Sequence, residues 1–389
     1  LRNKKGRAVN AGFVWNRLDT ALDLTIPDAL EYACRVVDTA VHQWGFPDLK
    51  LDFLYAAALK GCYTDATKTR AQVMRLGMEA LRQAVGNETI LLGCGAPLGS
   101  MLGLVDAMRI GPDVSGEWAP AFHGISAVFR DEPSMPSARN SIRNILTRAS
   151  MDHKWWVNDP DCLLLRPDTR LTLAEVRSLA TAIAMTGGSL LLSDDLPVLS
   201  SERLRIAEAL IPIINEPPRM IDWFSSEMPS RIRLDMVETE SWHILARFNW
   251  ADQPVDLQID PVEYHLEAGH YFYREFWSGQ IGEVSGKDPI HFRAVPAHGC
   301  VLIALRRKVA EKATYLGSDL HFSQGIELAE WQETGDEVNL TLRLPRSAGG
   351  NILLYLPRGE GETQVNGFPE KLVPVTDDIY SLRVQVDGF

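Results

Sequence analysis

Near residue 215 the chain changes texture, and that change constrains its fold more than any other feature. Before it, short apolar strand-like runs alternate with amphipathic helical stretches, the pattern of repeated βα units that build a parallel sheet. Expected strands are Ala21-Leu22-Asp23-Leu24, Asp48 to Phe53, Ile90 to Cys94, Ala107 to Ile110, Trp155 to Asn158 and Ser189 to Leu192. Between them, Ala29, Leu30, Ala33, Val36, Val37, Ala40 and Val41 recur at helical spacing after Pro27, a helix-start residue, and Val73, Met74, Met78 and Leu81 repeat the pattern. After residue 215 helices vanish. Runs such as Ser241 to Trp250, Val255 to Ile259, Tyr271 to Phe276 and Gly299 to Leu305 follow one another between turn residues, the texture of a β-sandwich. The fold class is therefore α/β, then all-β.

In Leu49-Lys50-Leu51-Asp52-Phe53 the strand period of two puts the apolar residues on one face and Lys50 with Asp52 on the other. In a β/α barrel the apolar face meets the helices. Lys50 and Asp52 would then point into the lumen, with Asp52 at the C-terminal end where barrel active sites lie. An ammonium neighbour keeps such a carboxylate ionised, as a carboxylate nucleophile requires; a structural ion pair near the strand end is the alternative. Arg109 falls near the end of another strand, and Asp113 lies just past it, after the Gly111-Pro112 turn. Asp52 and Asp113 are about 60 residues apart, close to two barrel units of roughly 31 residues each, which places them two strands apart on one rim. Retaining glycosidases flank the scissile bond with two such carboxyl groups.

Other segments are less decisive. Trp155-Trp156-Val157-Asn158-Asp159-Pro160-Asp161 joins aromatic and polar groups, as sugar sites do, but Asn-Asp-Pro-Asp is also an ordinary turn. Gly93-Cys94-Gly95-Ala96-Pro97-Leu98-Gly99 imitates a dinucleotide fingerprint with its third glycine one place late and Pro97 in the way, which excludes that reading. Cys94 is either a small buried hydrophobe or a lumen-lining group. No H-e-x-x-h-type histidine pair and no nucleophile-elbow serine occurs. The formal net charge of -12, without any Lys/Arg block, argues against nucleic acid and anionic membranes as partners. Five scattered cysteines without a C-x-x-C pair signal neither zinc nor a disulfide framework, so a reducing, cytoplasmic setting is expected.

Together, Ala21-Leu22-Asp23-Leu24, Lys50-Leu51-Asp52-Phe53, Gly93 to Leu98, Met108-Arg109-Ile110-Gly111-Pro112-Asp113, Trp156 to Leu163 and Ser193-Asp194-Asp195 resemble the melibiase-type α-galactosidases of glycoside hydrolase family 36. The resemblance covers about residues 10–215 well and the β region more loosely. It implies a partial (β/α)8 TIM barrel over residues 1–216, holding about strands three to eight. A C-terminal β-sandwich would follow over 217–310, and a small β module or extension over 311–389.

By the same resemblance, Asp52 is the nucleophile and Asp113 the acid/base of a double displacement. Lys50, Cys94 and Arg109 line the galactose subsite, and Trp118 and Asn158 are weaker additions from their places beyond strand ends. Neither metal nor organic cofactor is implied. The expected partner is an oligosaccharide or other α-galactoside, and a homo-oligomer stays open.

If Asp52 ends the fourth strand, about 125 residues should precede it at barrel spacing, against about 50 here. The chain thus looks like the C-terminal portion of such an enzyme, lacking the sandwich in front of the barrel and the first strands. Two alternatives stand beside α-galactosidase: a related glycosidase of different sugar specificity, and a catalytically silent carbohydrate-binding or assembly protein. For the latter, Trp242, Trp250, Trp277 and Trp331 would be a sugar platform, although such residues more often pack a sandwich core.

Overall fold

The computed structural model describes residues 1–14, 17–121, 130–239, 241–359 and 361–388. The chain divides into two compact units, residues 1–112 with 151–160, and residues 113–150 with 161–389.

In the first unit, β1 (Asn10–Val14) pairs antiparallel with β2 (Arg17–Thr20). The unit then runs α1 (Pro27–Asp38), β3 (Asp48–Leu51), α2 (Arg70–Val85), β4 (Ile90–Gly93), β5 (Ala107–Arg109) and β6 (Val157–Asp159). Pro27 occupies the opening turn of α1, where its missing N–H costs nothing. Thr69 and Gln72 close a capping box at the start of α2, and Gly86, at φ 80°, ends it. Strands β3 to β6 form a parallel four-stranded sheet in chain order. Leu49 and Leu51 of β3 join Leu91 and Met108 in a core with Val37 of α1 and Met74 and Met78 of α2. The strand alternation expected around Lys50 is thus realised within this unit: the leucines meet the helices and the charged residues do not.

One expected strand is absent. Ala21-Leu22-Asp23-Leu24 forms no strand, because the buried Asp23 carboxylate organises a turn. It accepts hydrogen bonds from Thr25 N (3.0 Å) and Oγ1 (2.6 Å), and from Thr64 N (2.8 Å) and Oγ1 (2.9 Å). Burial would raise its pKa, but these donors outweigh burial and hold it below the ordinary value. Apolar flanking residues had imitated a strand.

The second unit holds α3 (Ala138–Arg148), α4 (Leu173–Thr186), α5 (Ser201–Glu208) and the parallel pair β7 (Cys162–Leu163) and β8 (Leu191–Leu192). Of the six parallel strands expected as one partial barrel, five therefore appear among the described residues, four in one sheet and β8 in a separate pair with β7, which was not expected, and there is no closed barrel. The hydrogen-bonding break falls at Pro160, which has no N–H to give, and Asp161, at φ 75°.

The rest of this unit is antiparallel. Its main sheet runs, in spatial order, Ile281–Ser285, His270–Glu275, Cys300–Arg307, Ser241–Phe248, Arg231–Val237 and Arg219–Met220. Ile232, Leu234, Ile244 and Leu302 face Val176, Leu179 and Ile183 of α4. Leu245, Ile303 and Leu305, one position out of phase, face Ile259, Tyr264 and Phe292. Both faces are covered, so central strands read as continuous apolar runs. Beyond them a four-stranded sheet and two hairpins enclose a third core around Tyr315, Ile352 and Leu382. Trp242 is buried, while Trp250 and Trp277 pack on the α4 core and Trp331 on the third core, as sandwich tryptophans usually do.

Glu175 serves both as the capping-box acid of α4 and as partner of His298, whose Nδ1 lies 2.7 Å from its Oε1. His298 Nε2 lies 2.9 Å from Asp252 Oδ1. Burial alone would lower His298, but its hydrogen bonds to Glu175 and Asp252 win and raise it above the ordinary 6.5. Burial would raise Glu175, yet the bonds from His298 and Thr172 hold it below the ordinary 4.5. The histidine's contribution to stability is complete below pH 6.5 and is lost as pH climbs through its raised value; the glutamate's is complete above 4.5 and is lost as pH falls through its lowered value. Thermal melts should therefore separate wild type from His298→Gln most between pH 4.5 and 6.5, with the gap narrowing at higher pH.

Candidate active site

Parallel pairing in register stacks equivalent residues of neighbouring strands side by side. Leu51 pairs with Gly93, Gly93 with Met108, and Arg109 with Asp159. One step further along, Asp52, Cys94, Arg109 and Asp159 form a single row at the C-terminal ends of β3 to β6. Lys50 stands two residues behind Asp52, on the same face.

The row is tied together electrostatically. Asp159, fully buried, places Oδ2 3.2 Å from Arg109 Nε and 3.4 Å from Lys50 Nζ. Arg109 is itself buried, whereas the Lys50 side chain is 40% exposed. A buried carboxylate between two cations is the arrangement that makes its burial tolerable. At the other end of the row, Asp52 accepts a 2.7 Å hydrogen bond from the amide of Phe53. Phe53 adopts a left-handed conformation, φ 52°, so the strand stops and its last carboxylate turns outward. Gly95 permits this: a Cβ there would stand 3.4 Å from the Phe53 Cα, at a φ of 62°. The amide of Tyr55 donates to the Gly95 carbonyl at 2.7 Å, pinning the two strand ends together.

Burial first, then hydrogen bonding with Asp52 and the Asp52 charge, push the Cys94 pKa up to about 12 against the pull of Arg109 and Lys50. Cys94 is thus a neutral donor facing an exposed carboxylate.

Asn158 is buried in the same unit. Its Oδ1 accepts from Trp156 Nε1 at 3.1 Å, and its amide donates to Asp152 Oδ1 at 2.7 Å. Its side chain therefore already has a structural partner. Asp113 and Trp118 belong to the second unit. Asp113 is exposed, and its carbonyl accepts from the Ser137 amide, 3.2 Å away. The amide of the next residue, Val114, donates to Asp161 Oδ2 at 2.8 Å, which fixes the chain's course immediately after Asp113. Trp118 stacks on His298, ring centroids 4.1 Å apart, and on Trp250, 6.2 Å away. Asp194 is a scaffold residue: its carboxylate takes the Leu165 amide at 2.6 Å and Arg166 Nη1 at 2.9 Å.

Sequence reasoning passed over Asp159 and Asp161 individually. Both lie in the Asn-Asp-Pro-Asp string that read as a turn; an aspartate at the end of an apolar strand run was the available signal. Among the described residues, no group of three or more His, Cys, Asp or Glu is arranged to hold a metal ion, and no helix is long and apolar enough to cross a membrane.

No family model matches the chain. Among solved structures, it is similar to an α-galactosidase from Thermus thermophilus, in complex with p-nitrophenyl α-D-galactopyranoside, at 35% identity over 60% of this chain and 45% of that one, TM-score 0.48. It thus spans less than half that enzyme's length. α-Galactosidase I from Mortierella vinacea matches over 77% of this chain and 75% of its own at 16% identity and a TM-score of 0.54. A β-L-arabinopyranosidase of glycoside hydrolase family 27 from Geobacillus stearothermophilus matches over 77% and 66% at 16% identity and 0.56. The last two matches show a shared fold.

Two outcomes test the row. Asp159→Asn, which removes the buried carboxylate that Arg109 and Lys50 share, should lower unfolding free energy by about 3–5 kcal/mol in urea titrations. Iodoacetamide at pH 8 should label the exposed Cys62 well before Cys94, and Asp52→Asn should speed Cys94 labelling, read by peptide mass spectrometry, because the acid's bond and charge both hold the proton on sulfur.

Proposed function

We propose that the chain carries the catalytic carboxylates of a retaining α-galactosidase, with Asp52 as nucleophile and Asp113 as acid/base. The observation that carries this reading is the exposed Asp52 carboxylate at the end of a parallel strand, on a face shared with Lys50 and in one strand-end row with Cys94. Strand C-termini are where β/α enzymes place their chemistry. The melibiase-like motifs supply the assignment to family 36, the galactose preference and the role of Asp113. The folds shared with two glycosidases are compatible with it.

In the first step an Asp52 oxygen attacks the anomeric carbon while the bond to the leaving oxygen breaks, and Asp113 gives that oxygen its proton. The product is a glycosyl ester on Asp52. In the second step Asp113 takes a proton from water, whose oxygen displaces the ester at the same carbon, so the configuration is retained. The Phe53 amide, donating to that carboxylate, holds its orientation. Lys50, Cys94 and Arg109 would line the galactose subsite, with Trp118 and Asn158 as further candidates from their places beyond strand ends.

The test uses the full-length protein. Asp52→Ala should lower kcat on an α-galactoside by more than about 1,000-fold. Asp113→Ala should cost about 100- to 10,000-fold on raffinose, but far less on a p-nitrophenyl galactoside, whose leaving group needs little protonation. Proton NMR of early product should show the α-anomer. Unchanged turnover in either variant would sink the assignment. β-L-Arabinopyranose has the galactose ring without its C6 hydroxymethyl group, so comparing kcat/KM for the two glycosides measures which sugar the site prefers.

A further inference from the structure

Lys50 lies on β3 and bonds Asp159 on β6, and these are the two outer strands of the four-stranded parallel sheet. Neighbouring strands lie about 4.8 Å apart, so a flat sheet would separate β3 from β6 by about 14 Å. Side chains standing off a flat sheet could not meet across that span. Lys50 Nζ and Asp159 Oδ2 are 3.4 Å apart, so the sheet curls around the face that carries them. The ammonium therefore lies on the concave side, which by the strand period is also the side of Asp52.

An ammonium on a four-carbon stem is ordinarily mobile. This one meets a carboxylate whose side chain has no exposed surface, and Arg109 Nε, on the strand adjacent to β6, holds the same oxygen at 3.2 Å. Two cations brought to one oxygen repel each other unless the carboxylate stands between them, so the place of each depends on Asp159. Arg109, buried beside Asp159, already supplies the counter-charge that burial demands. The second cation, 40% exposed, is in excess of that need. An ammonium has three protons to donate. Asp159 takes one, and Lys50 has no other hydrogen-bond acceptor among the described residues.

We propose that Asp159 is a positioning residue for sugar recognition: it sets the Lys50 ammonium where a remaining proton meets one hydroxyl of a galactose unit. The inference rests on the galactoside reading of this site. A hydroxyl oxygen accepts such a proton, and a charged donor held in advance gives up little side-chain freedom on binding. Asp159, wholly buried, touches no sugar and acts through the lysine.

The test is calorimetric binding of galactose and its 2-, 3-, 4- and 6-deoxy analogues to the full-length protein. These are free sugars rather than glycosides, so binding is read without turnover. Lys50→Met should weaken galactose binding about 10- to 100-fold. It should leave unchanged the binding of the one analogue that lacks the hydroxyl the ammonium meets. Asp159→Asn should reproduce that selective loss, yet add about twofold or less once Lys50 is replaced by methionine. Asp159→Glu, which keeps the buried charge but moves its oxygen by a methylene, takes the place of Asp159→Asn in the cycle if circular dichroism shows the latter unfolded, and the same pattern is expected. A residue that only supported the fold would weaken all the sugars alike. The inference is overturned if the losses are uniform across the sugars, or if those of Lys50 and Asp159 add independently in the double variant. Failure of the wild-type protein to bind galactose overturns the galactoside reading itself, and this inference falls with it.

Discussion

A carboxylate without access to water must find cations or lose its charge, and Asp159 finds two. Arg109 and Lys50 converge on one of its oxygens from strands β5 and β3. Because one cation comes from the adjacent strand β5 and the other from β3 at the far edge of the same sheet, the ion pairs act as a clasp across the sheet and hold the C-terminal ends in register. That register carries Cys94 to the flank of Asp52. The same cluster accounts for why Lys50 tolerates a position on a strand otherwise committed to leucines: its stem can lie along the sheet while its charge is answered. In this arrangement the structural and functional readings of Lys50 are compatible, since one ammonium is bound to Asp159 and also raises the local potential around Asp52.

Much of this was legible beforehand. The alternation in Leu49-Lys50-Leu51-Asp52-Phe53 reports directly which side chains meet helices, because period two is a geometric property of any strand. Five of the parallel strands lie close to where apolar runs placed them, and the change to antiparallel structure follows the loss of helical spacing. Chemistry with a local cause survives this kind of reading well.

What was not legible depended on distant partners. Asp23 became a turn organiser through Thr64, some 40 positions away, and the apolar residues around it offered no warning. Asp159 and Asp161 are separated by a single proline, yet one serves Arg109 and Lys50 while the other fixes the Val114 amide after Asp113. Their sequence context is that of any turn, and only the fold reveals that each is buried with its own obligations. The tryptophans of the β region present the reverse case. Their packing follows from ordinary sandwich preferences, while the buried indole Nε1 of Trp331, without a hydrogen-bond partner among the described residues, could be recognised only in three dimensions.

The strand Cys300–Arg307 belongs to two cores at once: Leu302 and Ala304 to the helix-backed one, Val301, Ile303 and Leu305 to the other. Sliding it by one residue would exchange every occupant of both interiors, so neither layer has a tolerated alternative alignment. The unit therefore has little scope for stepwise loosening along this seam. Amides of this strand belong with the slowest-exchanging class, opening when both layers open together, and evolution can remodel either layer only through changes that the other accepts.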